Sequence, residues 1–267
     1  MRRIFRAALA AAPLLLAAGT ARAEGLRDLC PDRPGLGTPA CTMDPGHVQV
    51  EIGLGDWTLT RQTGDREDDL ATGDLLVRYG LNSSLEMQVG WTAYTHIRTR
   101  SGNVVAHDAG TGDVTIALRQ NLHNPDGSGF SIAIMPYATL PTGSDGIGAG
   151  DWATGVLVPV SYELPHGFAL ALTAEADAAV DADGNGRHFA YSAIFGLDMK
   201  LAEKVGATAE ISIARDEDPS GHTTTALAGL SANWTPNDNL QLDVGANAGL
   251  NRNAPDVELY FGVARRF

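Results

Sequence analysis

The stretch DADGNG, residues 181–186, has the side-chain spacing closest to a metal-binding loop. Asp181, Asp183 and Asn185, followed by glycine, match the first half of an EF-hand loop, in which alternate residues supply oxygen ligands. The closing bidentate glutamate would fall at position 192, which is Ser192. The alternative is a hairpin loop in which Asp, Asn and Gly supply turn geometry. These three residues are therefore a metal candidate with an incomplete ligand set.

Other residues that could do chemistry lack the context that a site requires. GIGAG, at 146–150, has the glycines of a phosphate-binding loop, but no helix follows it, which favours a flexible loop. Neither a G-x-S-x-G elbow nor a His-x-Ser-Asn-Gly stretch occurs. No histidine pair has the spacing H-x-x-x-H, and the positions of the histidines indicate loop and rim residues. They are His47, His96, His107, His123, His166, His188 and His222. We expect no enzyme and no cofactor.

Residues 1–23 are organised like a secretory signal peptide. A basic start (MRRIFR) precedes an apolar run (AALAAAPLLLAA) and an A-x-A-like cleavage site (ARA). The alternative is an N-terminal membrane anchor, for which the run is too short, since a spanning helix needs about 20 apolar residues. We predict an exported bacterial protein.

Cys30 and Cys41 lie in a Pro- and Gly-rich stretch at the start of the mature chain. Because exported proteins meet an oxidising compartment, we predict a disulfide, which would stabilise this short loop by about 3 kcal/mol through chain entropy. The alternative is a two-ligand metal fragment, but no His or Cys is near enough to complete a zinc set. We expect residues 24–46 to form a periplasmic segment that prolines keep out of any sheet.

From residue 47 onwards, apolar residues recur at every second position. Val48, Val50 and Ile52 begin the pattern, which recurs in twelve segments up to Phe267. Strict alternation predicts strands, and long, charged connectors alternate with short ones. This predicts that residues 47–267 form an all-β, transmembrane, antiparallel up-and-down β-barrel with short periplasmic turns and longer extracellular loops. The alternative is a soluble β-sandwich, against which the length of the strands and the unbroken meander argue.

The parity opposite the apolar residues carries charge, and in a barrel that parity faces the lumen. Eleven carboxylates oppose four basic residues, so we predict an acidic lumen that favours cations or neutral solutes. The alternative is a set of salt bridges that fills a narrow barrel. The predicted lumen-lining residues are Glu51, Asp74, Arg78, Glu86, Asp113, Arg119, Glu163, Glu175, Asp177, Asp198, Lys200, Glu210, Asp243, Glu258 and Arg266.

The chain ends on alternating apolar residues and an aromatic: Phe261, Val263 and Phe267. This ending resembles the C-terminal signal that the outer-membrane assembly machinery reads. The stretches LCPDRPGLGTP, GDLLVRYGLNSSLEMQVGW and ATLPTGSDGIG resemble the outer-membrane transporter-like barrels named after a phenol-degradation gene cluster. The resemblance covers nearly all of the mature chain. It implies an outer-membrane barrel that passes small, apolar or aromatic compounds.

Three functions fit these features. The first is a passive outer-membrane channel in contact with lipid and a small-molecule solute. The second is a barrel-borne enzyme acting on lipid, and the third is a structural or adhesion barrel. A net charge of −13 argues against nucleic-acid binding, which needs a basic face.

Overall fold

The computed structural model describes residues 25–267, and the predicted signal peptide lies outside them. Almost all of the described chain after residue 47 is in strands. Their bounds are β1 Val48–Gln62, β2 Asp65–Gly80, β3 Leu85–Ser101, β4 Val104–Gly110, β5 Val114–His123, β6 Phe130–Leu140, β7 Ala153–Leu164, β8 Phe168–Val180, β9 Arg187–Ala202, β10 Val205–Asp216, β11 Thr223–Asn237, β12 Leu240–Gly249 and β13 Val257–Arg266. Among residues 25–267, no helix is long and apolar enough to cross a membrane.

The strands form one closed antiparallel barrel. Apart from β4 and β5, strands that follow one another in sequence pair with each other, and β1 also pairs with β13. The strands β4 and β5 both pair with β3, at residues 95–101 and 85–91 respectively, so together they make one position in the barrel wall. The thirteen strands therefore make a twelve-position barrel, which confirms the predicted fold class.

The pairing of β1 with β13 closes the barrel. The N–H of Phe267 donates to the carbonyl of Val48 at 2.8 Å, and register continues to Leu59 opposite Val257. A bulge between Gly53 and Gly55 interrupts this register once. Closure satisfies the backbone groups of both terminal strands, as a bilayer requires.

The outer surface is apolar over a broad band, as alternation predicts. Large side chains that a soluble protein would bury are half exposed on every side of the barrel. Examples are Met87, Trp91, Ile116, Leu118, Phe130, Ile134, Tyr162, Leu170, Phe195, Ile211, Leu230, Trp234, Val244, Leu259, Phe261 and Phe267. The inward parity instead buries polar and charged side chains.

The two ends of the barrel differ. At the short-turn end lie the connectors 81–84, 124–129, 165–167, 203–204 and 238–239, together with the ends of the barrel sequence at 47 and 267. At the long-loop end lie the connectors 141–152, 181–186, 217–222 and 250–256. Two long connectors predicted from sequence are instead largely strand, because β1–β2 and β3–β4 continue as hairpins, closed at 63–64 and 102–103. The strand β3 has 17 residues, more than the roughly 10 that a tilted spanning strand needs.

Candidate functional site

The N-terminal segment lies inside the barrel. Residues 30–43, here called the plug, contain no strand and bond to inward-facing side chains on strands from several sides of the wall. Those wall residues are Glu51 on β1, Arg78 on β2, Glu86 on β3, Arg119 on β5, Thr173 on β8, Glu210 on β10, and Gln241 and Asp243 on β12. Only a position within the lumen reaches strands on opposite sides at once. The expectation of a periplasmic segment is therefore corrected for residues 30–43, which lie within the lumen.

A cluster of five charged side chains binds the first half of the plug to the wall. Arg78 bonds to Glu86 with Nε–Oε1 at 2.9 Å and Nη2–Oε2 at 3.1 Å. The carboxylate of Asp32 lies 3.0 Å from Nη1 of Arg78 and 2.7 Å from Nη2 of Arg119. Arg78, Arg119 and Glu86 are fully buried, and Glu51 is 1% exposed. Charges removed from water so completely need partners of opposite charge, which this cluster supplies.

Main-chain N–H groups of the plug complete the cluster. The two oxygens of Glu51 accept from the N–H groups of Asp32 and Arg33, at 3.0 and 2.9 Å. Glu86 accepts from the N–H of Met43 at 2.7 Å. Charge-assisted bonds of this kind contribute about 1.5–3 kcal/mol each. The three carboxylates exceed the two arginines in number, and the plug backbone satisfies the surplus negative charge.

The plug turns back on itself at Gly35, Leu36 and Gly37. The N–H groups of Leu36 and Gly37 each donate to the carboxylate of Glu210 at 2.8 Å. Gly35 has φ +117°, a region that favours glycine, and a Cβ there would lie 2.7 Å from Oε2 of Glu210. Beyond the turn, Thr38 exchanges two hydrogen bonds with the hydroxyl of Thr173. The apex therefore reaches the middle of the lumen.

Two further contacts fix the limbs of the plug. Arg33 bonds to Asp243 with Nη2–Oδ1 at 3.1 Å, and the side chain of Asp243 is fully buried. The predicted disulfide between Cys30 and Cys41 is confirmed and joins the two limbs, with Cα atoms 6.6 Å apart. Proline at 31, 34 and 39 removes N–H donors that a ladder would need.

The short-turn rim closes over the base of the plug. Arg27 donates to the carbonyl of Ser83 at 2.8 Å and pairs with Asp44 at 3.4 Å. Arg266, the inward-facing end of β13, donates to the carbonyl of Arg27 at 2.6 Å. Gly80 faces the carbonyl of Asp44 so closely that a Cβ would clash with it. The segment is thus held at both the rim and the centre of the lumen.

A cavity of about 640 Å³ lies on the long-loop side of the plug. Its wall includes the carboxylates Glu175, Asp177 and Asp216. Glu175 accepts hydrogen bonds from the hydroxyls of Tyr137, at 2.6 Å, and Ser192, at 3.2 Å. These donors are neutral, so they leave the negative charge of Glu175 uncompensated. The cavity wall also carries His188 and Arg215, and the acidic lumen stays a prediction.

Not every residue predicted to line the lumen faces its interior. Asp113 precedes β5 and accepts the N–H groups of Gly143 and Ala149 at 2.7 and 2.8 Å, so it holds a long loop. Glu163 is exposed at the short-turn rim and accepts the N–H of Gly129, and Lys200 is exposed at the same end. Alternation gives their parity correctly but not their depth along the barrel. The other predicted carboxylates bond to neighbours on the wall: Asp74 to Thr92, Asp198 to Thr208 and Glu258 to Asn247.

The metal site predicted from DADGNG is wrong, because Asp181 and Asp183 direct their carboxylates to different partners. The carboxylate of Asp183 accepts the N–H of Asn185 at 2.8 Å, which is a local turn. The carboxylate of Asp181 turns away and lies 3.0 Å from Nδ1 of His188. Within residues 25–267, the group that could hold a metal ion is Asp181, His188 and Asp218. Linear spacing missed it because the 217–222 loop approaches only in the folded barrel.

Comparison with known sequences identifies the family. Residues 31–267 match the family described as "Putative MetA-pathway of phenol degradation". The chain belongs to this family. The match includes nearly all of the plug as well as the barrel. No curated protein matches the sequence.

Solved structures similar to this chain are β-barrels with low sequence identity. The translocator domain of autotransporter NalP from Neisseria meningitidis is 14% identical, with 83% of this chain and 88% of that chain covered and a TM-score of 0.51. The NanC porin is 8% identical, with 82% and 98% covered and a TM-score of 0.51. The KdgM porin, in complex with disordered oligogalacturonate, is 10% identical, with 83% and 99% covered and a TM-score of 0.51. At these identities the likeness establishes an outer-membrane barrel fold.

Proposed function

We propose that this protein is an outer-membrane channel for small solutes whose lumen is closed at rest by the plug. The observation that carries the proposal is the set of plug contacts with inward-facing side chains around the barrel wall. They fill the lumen between the short-turn rim and its middle and leave the 640 Å³ cavity beyond. Solute passage then requires the plug to move.

The nature of the solute is inferred from the cavity and the family. The carboxylates Glu175 and Asp177 line the cavity and disfavour anions. The family description refers to phenol degradation, and aromatic compounds are neutral solutes of suitable size for this cavity. NanC and KdgM, which share the fold, are porins. Together these points support a channel for small neutral or cationic aromatic compounds, and they favour a transport role over an enzyme.

The placement in the cell follows from the same proposal. The chain is exported by the signal peptide at residues 1–23, and the apolar band contacts outer-membrane lipid. The terminal strand, with Phe261, Val263 and Phe267 on its outward parity, binds the outer-membrane assembly machinery. Phe267 is 63% exposed, so its ring is available for such contact. The short-turn end, and with it the base of the plug, faces the periplasm.

The test is conductance in planar bilayers. The double variant Asp32→Ala/Arg33→Ala, here called the released variant, removes the ion pairs to Arg78, Arg119 and Asp243. We expect rare, small openings for the wild type and sustained conductance for the released variant. The matched control is Asp28→Ala, at an exposed position of the same segment. Absence of conductance in both the wild type and the released variant would contradict the channel and favour a structural barrel. Release of fatty acid from phospholipid vesicles would favour an enzyme that acts on lipid.

A further inference from the structure

His188, the second residue of β9, has carboxylates at both ring nitrogens. Its side chain is 5% exposed. Nε2 lies 3.0 Å from Oδ2 of Asp216, and Nδ1 lies 3.0 Å from Oδ1 of Asp181 and 3.4 Å from Oδ2 of Asp218. A neutral imidazole has one N–H donor and one lone pair. When Nε2–H donates to Asp216, the lone pair of Nδ1 faces the carboxylates of Asp181 and Asp218. These three electron-rich groups repel one another unless a cation lies between them.

The convergence has the dimensions of a small metal site. Zinc bound tetrahedrally at about 2.0–2.1 Å places its ligand atoms about 3.3 Å from one another. The separations from Nδ1 of His188 to the oxygens of Asp181 and Asp218 are 3.0 and 3.4 Å. All three ligand atoms lie within 4.8 Å of one another. Little movement is needed for them to share one ion.

The hydrogen-bond partners of these ligands orient them for metal binding. The Nε2 partner Asp216 fixes the tautomer that leaves Nδ1 free to coordinate, which is the usual carboxylate–histidine–metal arrangement. Asp218 is oriented by the N–H of Ala182 on Oδ2, at 2.7 Å, and the N–H of Ser220 on Oδ1, at 2.6 Å. His188 and Asp218 also line the 640 Å³ cavity, which provides an entry path and room for water as the fourth ligand.

We propose that Asp181, His188 and Asp218 bind a zinc ion, which ties the 181–186 loop to the 217–222 loop at the mouth of the cavity. One imidazole nitrogen with two carboxylate oxygens suits zinc, whereas calcium takes 6–8 oxygen ligands. The site shares only Asp181 with the calcium loop that the sequence of the hairpin suggests, and it differs from that loop in its other ligands and in its metal. It is independent of whether the barrel conducts.

The experiment measures zinc binding to the full-length folded barrel in detergent, without a polyhistidine tag, by isothermal titration calorimetry. All proteins carry His107→Ala, because His96 and His107 lie 3.3 Å apart on the exposed β3–β4 hairpin and could bind zinc themselves. We expect one zinc per chain. Asp216→Asn should weaken binding about 10–100-fold through loss of the supporting carboxylate, and His188→Ala or Asp218→Asn should weaken it at least as much.

The matched control is His222→Ala, which removes an exposed histidine from the same loop and should leave affinity unchanged. Retention of the heat-dependent gel shift shows that each variant is folded. Zinc should also protect the 217–222 loop from protease in the parent and fail to do so in the His188 variant. Equal affinity of parent and His188→Ala would overturn the site. Absence of zinc binding by the parent would overturn it too and would assign the cation at Nδ1 as a proton.

Discussion

Arg119 of β5 binds both carboxylate oxygens of Asp32 in the plug, with Nη2 2.8 Å from Oδ1 and 2.7 Å from Oδ2. Arg119 is fully buried, and Arg78 beside it contacts the same carboxylate at 3.0 Å. Without Asp32, the two arginines still face Glu51 and Glu86, so the charges of the wall balance. Attachment of the plug and stability of the barrel are therefore separable by mutation.

Asp32→Ala and Arg78→Ala should affect different parts of the molecule. Asp32→Ala loosens the first half of the plug, which becomes more sensitive to protease while the barrel stays folded. Arg78→Ala leaves Glu51 and Glu86 short of a buried partner and should lower the free energy of unfolding by about 3–5 kcal/mol. Urea titration followed by tryptophan fluorescence measures the second effect, and proteolysis with mass spectrometry the first. Equal destabilisation by both substitutions would contradict the separation.

Gly35→Ala should displace the apex of the plug. Its φ of +117° disfavours a side chain, and the added methyl would lie 2.7 Å from Glu210. The N–H groups of Leu36 and Gly37 then lose their acceptor, so their hydrogen exchange should accelerate at least tenfold. Gly25→Ala is the control, because a Cβ there meets nothing within 4 Å. Unchanged exchange at Leu36 and Gly37 in Gly35→Ala would show that the apex tolerates the substitution.

The sequence predicted the barrel well because its fold obeys one local rule. Period-two alternation marks each strand, and a bilayer enforces that alternation on every spanning strand. The deviations occur where that constraint ends. The hairpins β1–β2 and β3–β4 are longer than a spanning strand needs to be, and there polar residues such as Asp68 and Arg98 pair across strands.

The plug could not be predicted from alternation, because its contacts are between residues far apart in sequence. Arg33 and Asp243 are 210 positions apart, and Leu36 and Glu210 are 174 apart. One signal was present in the chain. Eleven inward carboxylates face only four inward basic residues. Those carboxylates that are buried therefore need hydrogen-bond donors from outside the barrel wall. The sequence DRPGLG between two cysteines offers an arginine and several free N–H groups.

The 217–222 loop should detach in acid. Hydrogen bonds from Ser220 and from the main-chain N–H of Ala182 lower the pKa of Asp218 to about 2. An aspartate in the unfolded chain has a pKa of about 3.9. Because the folded pKa is the lower one, the anchoring is complete above about pH 4 and is lost as the pH falls through about 2. Pepsin cleavage near Gly221 measures this.

Two variants calibrate the acid experiment. Asp218→Asn should be cleaved readily throughout the range, since its amide cannot accept the same charge-assisted bonds. Asp183→Asn should behave like the parent, because Asp183 bonds only within its own exposed turn in the described part of the chain. Identical cleavage of parent and Asp218→Asn above pH 4 would show that another contact holds the loop.

The two ends of the barrel should lie on opposite sides of the outer membrane. Tags inserted at Gly146 or Gly184, in the loops of the long-loop end, should be reachable by antibody on intact cells. Tags at Asp126 or Asn237, at the short-turn end, should be reachable only after the outer membrane is permeabilised. Unheated protein should migrate faster on a gel than boiled protein. Surface labelling at Asp126 would reverse the orientation and place the plug on the outside.

Charge selectivity of the open channel should depend on Glu175 and Asp177. Two other carboxylates predicted to line the lumen have partners elsewhere: Glu86 binds Arg78, and Asp113 holds the 141–152 loop. Glu175 has the hydroxyls of Tyr137 and Ser192 as partners, and these do not neutralise it. A cation passing the cavity therefore meets a negative field within a Debye length of about 8 Å at physiological salt.

The measurement is the reversal potential of the released variant, Asp32→Ala/Arg33→Ala, in a salt gradient. We expect cation preference, and we expect Glu175→Gln/Asp177→Asn in that background to reduce the permeability ratio severalfold toward unity, since amides carry no charge and keep a similar shape. Asp183→Asn, at an exposed loop tip, should leave the ratio unchanged because solvent screens it. Anion preference in the released variant would contradict an acidic conducting path. Unchanged cation preference in the double amide would assign the selectivity to carboxylates that the departing plug uncovers, such as Glu210 and Asp243.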